Sequence, residues 1–241
     1  MAIAVVVGVG AFSGLGSALA RRFAKAGLTV YLAGRTLEKL NIVANEIMQD
    51  GGQAIAYPLD ATNETSVVQF FQYLAEQNSP LALVACNVDS NQRAPLLETS
   101  SEMFEQLWRQ NVFAGFLVGR EAARLMVKQQ QGTLFFTGAS ASLRARPPFT
   151  AFSSAKSALR FLAQGMAREF SPQGIHVVHV IIDGVIDGER AHQHFPEFVA
   201  QKGKDGLLNL DALAETYWQL HCQDKTTWTH ELDLRPYKEP F

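Results

Sequence analysis

The sequence predicts an α/β protein in which a mostly parallel sheet is covered by helices on both faces. Short runs rich in valine, isoleucine, leucine and phenylalanine alternate with segments whose apolar residues recur at helical spacing. The runs lack the apolar–polar alternation of a half-exposed sheet, so we expect strands that are buried on both faces. Strands and helices in alternation are joined by right-handed crossovers, which predicts a three-layer, doubly wound arrangement.

The elements follow one another in a regular order. The predicted strands are Ile3–Val9, Thr29–Ala33, Gln53–Pro58, Leu81–Ala85, Gly132–Thr137 and His176–Ile182. The predicted helices between them are Gly14–Ala26, Leu37–Asp50, Glu64–Gln77, Ser100–Gln130 and Phe152–Phe170. A helix over Leu210–His221 and an extended segment over Glu231–Leu234 come last. Gly27 and Gly174 each separate a helical run from a strand, where a left-handed helix cap is expected.

Size and composition predict a single domain over residues 1–241. The chain has 241 residues, of which 47% are hydrophobic and 18% charged, values typical of a folded protein with one core. No linker or repeat interrupts the pattern. It loosens only at about residues 183–208, which follow the sixth predicted strand and carry glycine, histidine and charged residues. Such a segment predicts a loop or lid on the side where ligands bind.

Charge and cysteine content exclude several classes of protein. The net charge of −2 gives no electrostatic reason to bind nucleic acid or an anionic membrane. No apolar stretch reaches the ~20 residues of a membrane helix, and the apolar N-terminus lacks the basic residues of a signal peptide. We therefore expect a cytoplasmic protein. Cys86 and Cys222 match no metal-ligand spacing, so we predict two small buried apolar groups and no metal site.

A glycine-rich turn after the first predicted strand indicates a dinucleotide site. It reads Gly10-Ala-Phe-Ser13-Gly14-Leu15-Gly16 and leads into a helix. The first glycine permits a tight turn, the second lets the backbone approach a pyrophosphate, and the third allows close packing of helix on sheet. The N-terminus of the helix presents free N–H groups to the phosphates. This position, at the first strand–helix junction, is typical of a Rossmann-type nucleotide site.

The end of the second predicted strand bears on the choice of cofactor. In NAD-binding proteins of this kind a carboxylate at this place binds the ribose 2′-hydroxyl. Here the sequence reads Gly34-Arg35-Thr36, without an acid. Arg35 can bind a phosphate through two N–H groups, and Thr36 can donate a hydroxyl hydrogen bond. We therefore predict that NADP(H) is favoured over NAD(H).

These motifs, taken in order, resemble the short-chain dehydrogenase/reductase family over about residues 3–187. The glycine spacing is similar to the family's fingerprint, although Val9 replaces the usual threonine before the first glycine. Asp60 and Ala61 resemble the pair that contacts the adenine ring in the family. The resemblance implies that the glycine turn, Arg35, Thr36, Asp60 and Ala61 bind the cofactor.

The resemblance extends to residues nearer the expected catalytic site. Asn87 belongs to a segment that loosely resembles the family's Asn-Asn-Ala-Gly, and Asn111 matches its structural and catalytic asparagine. Asp183 and Gly184 stand where the family has Pro-Gly. The resemblance implies that Asn87, Asp183 and Gly184 contact the cofactor and that Asn111 belongs to the catalytic set.

The resemblance also locates the catalytic residues, and there the sequence departs from the family. In the family, a tyrosine four residues before a lysine donates a proton to the substrate carbonyl, and the lysine lowers the phenol pKa and binds the nicotinamide ribose. Here Lys156 is present but Phe152 occupies the tyrosine position, and a phenyl ring has no proton to give. Phe149 stands where the enoyl-reductase variant has its tyrosine.

The family's serine, thirteen residues before the tyrosine, orients the carbonyl. That count gives Ala139, so Ser140 is the nearest candidate and Ser142 a poorer one. Ser140 either takes this role or caps a turn. Asn111, Ser140 and Lys156 then form the residual catalytic set. A hydroxyl or a water on Lys156 supplies the proton, or His192 or His194 in the loop does; alternatively, Lys156 only holds the cofactor ribose.

Two functions follow from these residues. The first is an NADP(H)-dependent short-chain oxidoreductase that acts on a small molecule, either a carbonyl/alcohol pair or an activated double bond. The second is a catalytically silent NADP(H)-binding sensor or scaffold, suggested by Phe152 beside an intact nucleotide site. The predicted helices Ser100–Gln130 and Phe152–Phe170 carry small and apolar residues on several faces, and with the family resemblance this predicts self-association as a dimer or tetramer.

Overall fold

A computed structural model describes residues 1–239, and their strands form one parallel sheet in the order β3-β2-β1-β4-β5-β6-β7. The strands are β1 Ile3–Val7, β2 Thr29–Gly34, β3 Gln53–Pro58, β4 Leu81–Cys86, β5 Gly132–Ala139, β6 Ile175–Ile182 and β7 Glu231–Leu234. The order reverses between β1 and β4, which opens a crevice at the carboxyl ends of these two strands. The predicted doubly wound α/β class is confirmed.

Helices cover both faces of the sheet. They are α1 Leu15–Lys25, α2 Leu37–Gln49, α3 Glu64–Ala75, α4 Ser101–Trp108, α5 Ala114–Gln129, α6 Thr150–Phe170, α7 Glu189–His194, α8 Pro196–Lys202 and α9 Leu210–His221. Within β1, Val5 packs into the core formed with α3, α5 and α6, while the next residue, Val6, packs into the core formed with α1, α2 and α9. Because successive strand residues point to opposite faces, an unbroken apolar strand fills both cores.

The predicted helix Ser100–Gln130 is divided in the structure. A π-helical turn over Arg109–Phe113 separates α4 from α5. Asn111 lies in this turn, and its side-chain amide donates a 2.9 Å hydrogen bond to the Leu107 carbonyl. That carbonyl thereby receives a side-chain donor, which is a recognised way to interrupt the regular helical ladder. The apolar periodicity continues through the turn, so sequence periodicity alone could not reveal it.

The segment at about residues 183–208 contains more regular structure than a loop. The short helices α7 and α8 lie inside it, and a single parallel bridge pairs Ile186 with Leu208. The expected left-handed residues are confirmed at Gly27 and Gly174, whose φ angles are +88° and +83°. No helix within residues 1–239 is long and apolar enough to cross a membrane.

The expectation of two buried cysteines is wrong for one of them. Cys86 ends β4 and is buried, and this burial raises the pKa of its thiol to about 11. Cys222 is exposed. It is the C-cap residue of α9, one position beyond the last helical residue. Its side chain therefore does not belong to the face of α9 that packs on the sheet.

Candidate active site

The carboxyl edge of the sheet opens into a cavity of about 1050 Å³. The turns that follow β1, β2, β3, β4, β5 and β6 all contribute to its lining. This volume reaches the upper end of the range of about 300–1,000 Å³ that is usual for sites of small ligands and cofactors. It has room for an extended ligand with a second, smaller one beside it.

The glycine turn forms one wall of this cavity. Gly10, Ser13, Gly14, Leu15 and Gly16 all line it. A Cβ atom on Gly16 would lie 2.8 Å from the Gly8 carbonyl oxygen, so glycine is needed there for α1 to approach β1. A Cβ atom on Gly10 would meet nothing within 4 Å, because that residue faces open space in the cavity.

The N-terminus of α1 is open to an anion. Its N-cap residue is Gly14, which has no side chain to accept a hydrogen bond from the first N–H groups of the helix. The first turn carries no acidic residue. The first N–H groups of a helix have no partner inside the helix, and they favour negative charge. A glycine cradle of this shape at an uncapped helix N-terminus fits the pyrophosphate of a dinucleotide.

The ends of β2 and β3 contribute the groups expected to bind adenosine. Arg35 lines the cavity, is exposed, and has no ion-pair partner among residues 1–239. Thr36 is the exposed N-cap of α2, outside the cavity lining as far as the described chain goes. Asp60 and Ala61 both line the cavity. The Asp60 carboxylate accepts bonds of 2.9 and 2.8 Å from the N–H and hydroxyl of Thr62, and so fixes its own turn.

Asn87, Asp183 and Gly184 also line the cavity. The Asn87 amide donates a 3.4 Å hydrogen bond to the Gly8 carbonyl, which ties the turn after β4 to the glycine turn. The buried Asp183 carboxylate lies between two guanidinium groups, at 2.9 Å from Arg144 and 2.6 Å from Arg235. Because these ion pairs occupy the carboxylate, only the backbone at Asp183 and Gly184 is left for a ligand.

Lys156 occupies the centre of the site. It follows Phe152 by one turn of α6, and its side chain is only 1% exposed. Its Nζ atom lies 2.9 Å from Asp89 Oδ1, donates to the Thr137 carbonyl at 3.2 Å, and is 5.7 Å from the centroid of the Phe152 ring. A buried ammonium requires such partners, and the carboxylate, the carbonyl and the ring face together supply them.

Asp89 is a site residue that the sequence analysis missed. Its Oδ1 atom contacts Lys156, and its Oδ2 atom lies 3.8 Å from a guanidinium nitrogen of Arg190 on α7. The carboxylate thus joins the turn after β4 to α6 and α7. An acid directly after a central strand, beside a nucleotide motif, was the signal that could have found it. The loose match of this segment to the family's Asn-Asn-Ala-Gly drew attention to Asn87 instead.

Asn111 is buried and binds the backbone of Ser90, the residue that follows Asp89. Its amide donates 2.9 Å hydrogen bonds to the carbonyls of Leu107 and Ser90, and its Oδ1 atom accepts a 3.4 Å bond from the Ser90 N–H. Within residues 1–239, Asn111 is not part of the cavity lining. It holds the backbone next to Asp89, which makes it a positioning residue in this geometry.

The two serine candidates differ in their surroundings. Ser140 lines the cavity, and its hydroxyl makes no hydrogen bond to the described part of the chain. Ser142 is buried, and its hydroxyl donates a 2.7 Å bond to the Ala139 carbonyl. Ser140 therefore remains the candidate whose hydroxyl a ligand can reach.

The loop histidines lie outside the site. His192 and His194 are exposed, and neither lines the cavity as described over residues 1–239. His192 Nε2 is 2.7 Å from Asp187 Oδ1. Neither imidazole is placed to exchange a proton with a ligand beside Lys156.

Comparison with known proteins places this architecture in a family. The family model described as short chain dehydrogenase matches residues 3–197. A crystal structure of a short-chain dehydrogenase from Rhodopseudomonas palustris is 41% identical, with a TM-score of 0.83, and the match covers 98% of this chain and 99% of that one.

Curated relatives are more distant. The gluconate 5-dehydrogenase of Gluconobacter oxydans is 29% identical over 168 residues, which is 70% of this chain and 66% of that protein. The NADPH-dependent 1-acyldihydroxyacetone phosphate reductase of Saccharomyces cerevisiae is 28% identical over 196 residues, which is 80% of this chain and 65% of that protein. The chain thus spans just under two thirds of the length of these two relatives. Together with the match to the family model, these similarities show that the chain belongs to the short chain dehydrogenase family.

Proposed function

We propose that the protein is an NADP(H)-dependent oxidoreductase that interconverts a carbonyl and an alcohol on a small molecule in the cytoplasm. One observation carries the proposal: the dinucleotide cradle and the ion pair between the buried Lys156 and Asp89 line the same cavity. A buried ammonium paired with a carboxylate beside a nucleotide site is typical of catalytic sites.

The preference for NADP(H) rests on Arg35. It is exposed at the end of β2, lines the cavity and has no acid paired with it among residues 1–239. A guanidinium in this place can bind the 2′-phosphate through two N–H groups. The relative from Saccharomyces cerevisiae is named as NADPH-dependent. When bound, NADP(H) would supply or accept the hydride of the reaction.

The chain itself must handle the proton, and Lys156 is the group placed to do so. An ammonium has three N–H groups, of which two bind Asp89 and the Thr137 carbonyl. The third has no hydrogen-bond acceptor within residues 1–239 and has only the Phe152 ring near it, so that a ligand oxygen can accept it. In the reductive direction the substrate oxygen takes a proton from Lys156, with Ser140 donating a hydrogen bond to orient it.

Asp89 completes the proton path. Its side chain is 38% exposed, while that of Lys156 is 1% exposed. The carboxylate therefore connects the buried amine to solvent, from which the amine regains its proton. Phe152 takes no part in this transfer, and its ring packs beside the ammonium.

The proposal is tested by NADPH oxidation with a panel of aldehydes, ketones and enones, alongside fluorescence titration of NADPH. We expect turnover of at least one carbonyl class in the wild-type protein and its loss in Lys156→Met. Arg168→Gln is the matched control, because Arg168 lies near the end of α6 and bonds only Gln164 within the described residues. Tight NADPH binding without turnover across the panel would favour the catalytically silent sensor or scaffold.

We also propose that the protein self-associates through α4, α5 and α6. Phe104 and Trp108 are each 42% exposed, and Phe161 is 67% exposed. Trp108 stacks on Phe113, which stacks on Phe116, at centroid distances of 6.0 and 6.1 Å. Exposed aromatic rows of this kind mark interaction surfaces. Light scattering at micromolar concentration should give the mass of a dimer or tetramer; a monomer would contradict the proposal.

A further inference from the structure

Arginines gather at the end of the cavity that is remote from Arg35. Arg93 follows β4, Arg144 and Arg146 follow β5, and Arg190 lies in α7 after β6. All four line the cavity. The carboxyl ends of adjacent parallel strands lie at one edge of a sheet, so their loops are neighbours.

Direct contacts join these loops. The Ala94 N–H donates a 3.0 Å hydrogen bond to the Pro148 carbonyl, which ties the loop after β4 to the loop after β5. Arg190 donates a 3.4 Å bond to the Asn91 carbonyl, which ties α7 to the same loop. The arginines therefore belong to one connected surface, although they come from three separate parts of the sequence.

The acids on this surface do not balance the arginines. Asp183 is already paired with Arg144 and Arg235, and Asp89 is paired with Lys156 and Arg190. Glu239, the remaining acid at this end, pairs with Lys202.

Two of the arginines are therefore left without an acid. Neither Arg93 nor Arg146 forms an ion pair within residues 1–239, and Arg93 lies 5.7 Å from the centroid of the Phe149 ring. Positive charge gathered in a concave site, in a chain of net charge −2, concentrates anions there.

The cofactor does not account for this charge. Its pyrophosphate is matched by the glycine turn and its 2′-phosphate by Arg35, which lie after β1 and β2. Arg190 follows Glu189, whose N–H donates a 2.9 Å bond to the Ser13 carbonyl in the glycine turn. Arg190 is close to the cofactor cradle, so of these four arginines Arg93 and Arg146 are left to bind something else. Arg109, which also lines the cavity, donates to the Thr62 carbonyl after β3, at the cofactor end.

We propose that the substrate carries a carboxylate or phosphate group, which Arg93 and Arg146 bind, and that its carbonyl or alcohol carbon lies beside Lys156. This inference rests on the proposed oxidoreductase function and adds the substrate's charge to it. The Phe149 ring lies beside Arg93 and restricts the orientation of its guanidinium group. A small anionic oxo or hydroxy compound fits these groups.

Binding of simple anions tests the inference without a known substrate. Inorganic phosphate and succinate are titrated by calorimetry into NADPH-loaded protein at constant ionic strength, so that the cofactor's own phosphate sites are filled. We expect saturable binding, weakened at least tenfold in the double variant Arg93→Gln/Arg146→Gln, since two charge-assisted contacts are lost. Arg168→Gln is again the control and should bind like the wild type.

Each outcome of this titration has one meaning. Unchanged affinity in the double variant, no saturable binding, or equal weakening in the Arg168→Gln control would overturn the inference. If NADPH does not bind, cofactor-free Arg35→Gln protein is titrated with and without Arg93→Gln/Arg146→Gln. The glycine turn is common to both proteins, so the difference between them measures the anion site. A failure of NADPH titration alone would overturn the proposed function and not the anion site.

A second measurement separates carboxylate from phosphate. With NADPH, 2-oxobutanoate is compared with 2-butanone, and dihydroxyacetone phosphate with dihydroxyacetone. We expect kcat/KM to be at least tenfold higher for the charged member of one pair, and this preference to disappear in the double variant. A preference for the neutral members, or one that survives in the double variant, would overturn the inference.

Discussion

The two ends of the cavity are built in different ways. At the cofactor end, the cradle is made of backbone: Gly16 lets α1 approach β1, and Gly10 faces open space. At the substrate end, the surface is made of charged side chains, with Lys156 bound to Asp89 and Asp183 bound to Arg144. A backbone site requires a short local pattern, whereas a side-chain site draws its groups from distant parts of the chain.

This difference explains where the chain keeps the family pattern and where it departs. The cofactor cradle tolerates little change, because a Cβ atom in the wrong place closes it. The substrate end can exchange one polar group for another, provided that buried charges stay paired. Phe152 in place of the tyrosine and Asp183 in place of the proline are the departures at this end, and the Asp183 carboxylate is paired there with Arg144 and Arg235.

Loss of Lys156 should have the largest effect of the substitutions considered. Lys156→Met removes the proton source and leaves Asp89 with only its 3.8 Å contact to Arg190, so turnover of the best carbonyl substrate should fall by about 10²–10⁴-fold. Steady-state kinetics measures this, with circular dichroism to verify the fold. Lys156→Arg keeps the charge and should retain part of the NADPH affinity. Undiminished turnover in Lys156→Met would show that a group other than Lys156 supplies the proton.

Arg35 tests the cofactor end. Arg35→Ala should weaken NADPH binding by about 10–100-fold, because a bidentate contact to a phosphate contributes about 1.5–3 kcal/mol. NADH affinity should stay as in the wild type, since NADH lacks the 2′-phosphate. Fluorescence titration with both cofactors measures the ratio. Equal or tighter binding of NADH by the wild-type protein would contradict the predicted preference.

Phe152 tests whether the substrate end is a carbonyl site. In Phe152→Tyr the phenol would lie one helical turn from Lys156, whose ammonium should stabilise the phenolate and lower its pKa. We expect ketone reduction to rise about tenfold or more. Phe198→Tyr on α8 is the control and should change nothing, because Phe198 is exposed and lies outside the cavity lining described over residues 1–239. A fall in activity on the natural substrate would mean that the Phe152 ring contacts that substrate.

The pH dependence of stability tests a third region of the molecule, the pair of strands β6 and β7 at one edge of the sheet. On β6, burial lowers the pKa of His179 to about 4, while on β7 the hydrogen bond from Arg160 lowers the pKa of Glu231 to about 2. The pKa of a histidine in the unfolded chain is about 6.5. Between about pH 4 and pH 6.5, His179 is therefore protonated more fully in the unfolded chain than in the native protein. The free energy of unfolding should therefore decrease as the pH falls from about 6.5 to about 4.

His179→Gln isolates this contribution. It keeps an N–H donor for Glu231 but cannot titrate, so its stability should vary less with pH over that interval, by at most about 3 kcal/mol. Chemical denaturation at several pH values measures the slope. His176 and His221, whose pKa values burial also lowers, give the residual slope. An unchanged slope in His179→Gln would show that His179 does not titrate differently in the native and unfolded states.

Much of the fold could be predicted from the sequence because its signals are local. A short apolar run gives β3 with the predicted bounds, and helical periodicity gives α9. The expectation that every strand is buried on both faces is wrong for β3, an edge strand in which only Ala54 is buried. The π-helical turn at Asn111 could not be predicted, since it depends on a side-chain bond to the Leu107 carbonyl that leaves the apolar periodicity unchanged. The helices α7 and α8 were also missed, because they are too short for periodicity to appear.

The sequence by itself determined the strands, the glycine turn and the positions of Lys156 and Phe152 on one helix. Each depends on residues a few positions apart, whose relative placement is set by the period of a strand, a turn or a helix. Only the tertiary structure brought Asp89 to within 2.9 Å of Lys156 and enclosed the Asp183 carboxylate between Arg144 and Arg235. Those pairs join loops from different strands, and their geometry exists only once the strands are side by side in the sheet.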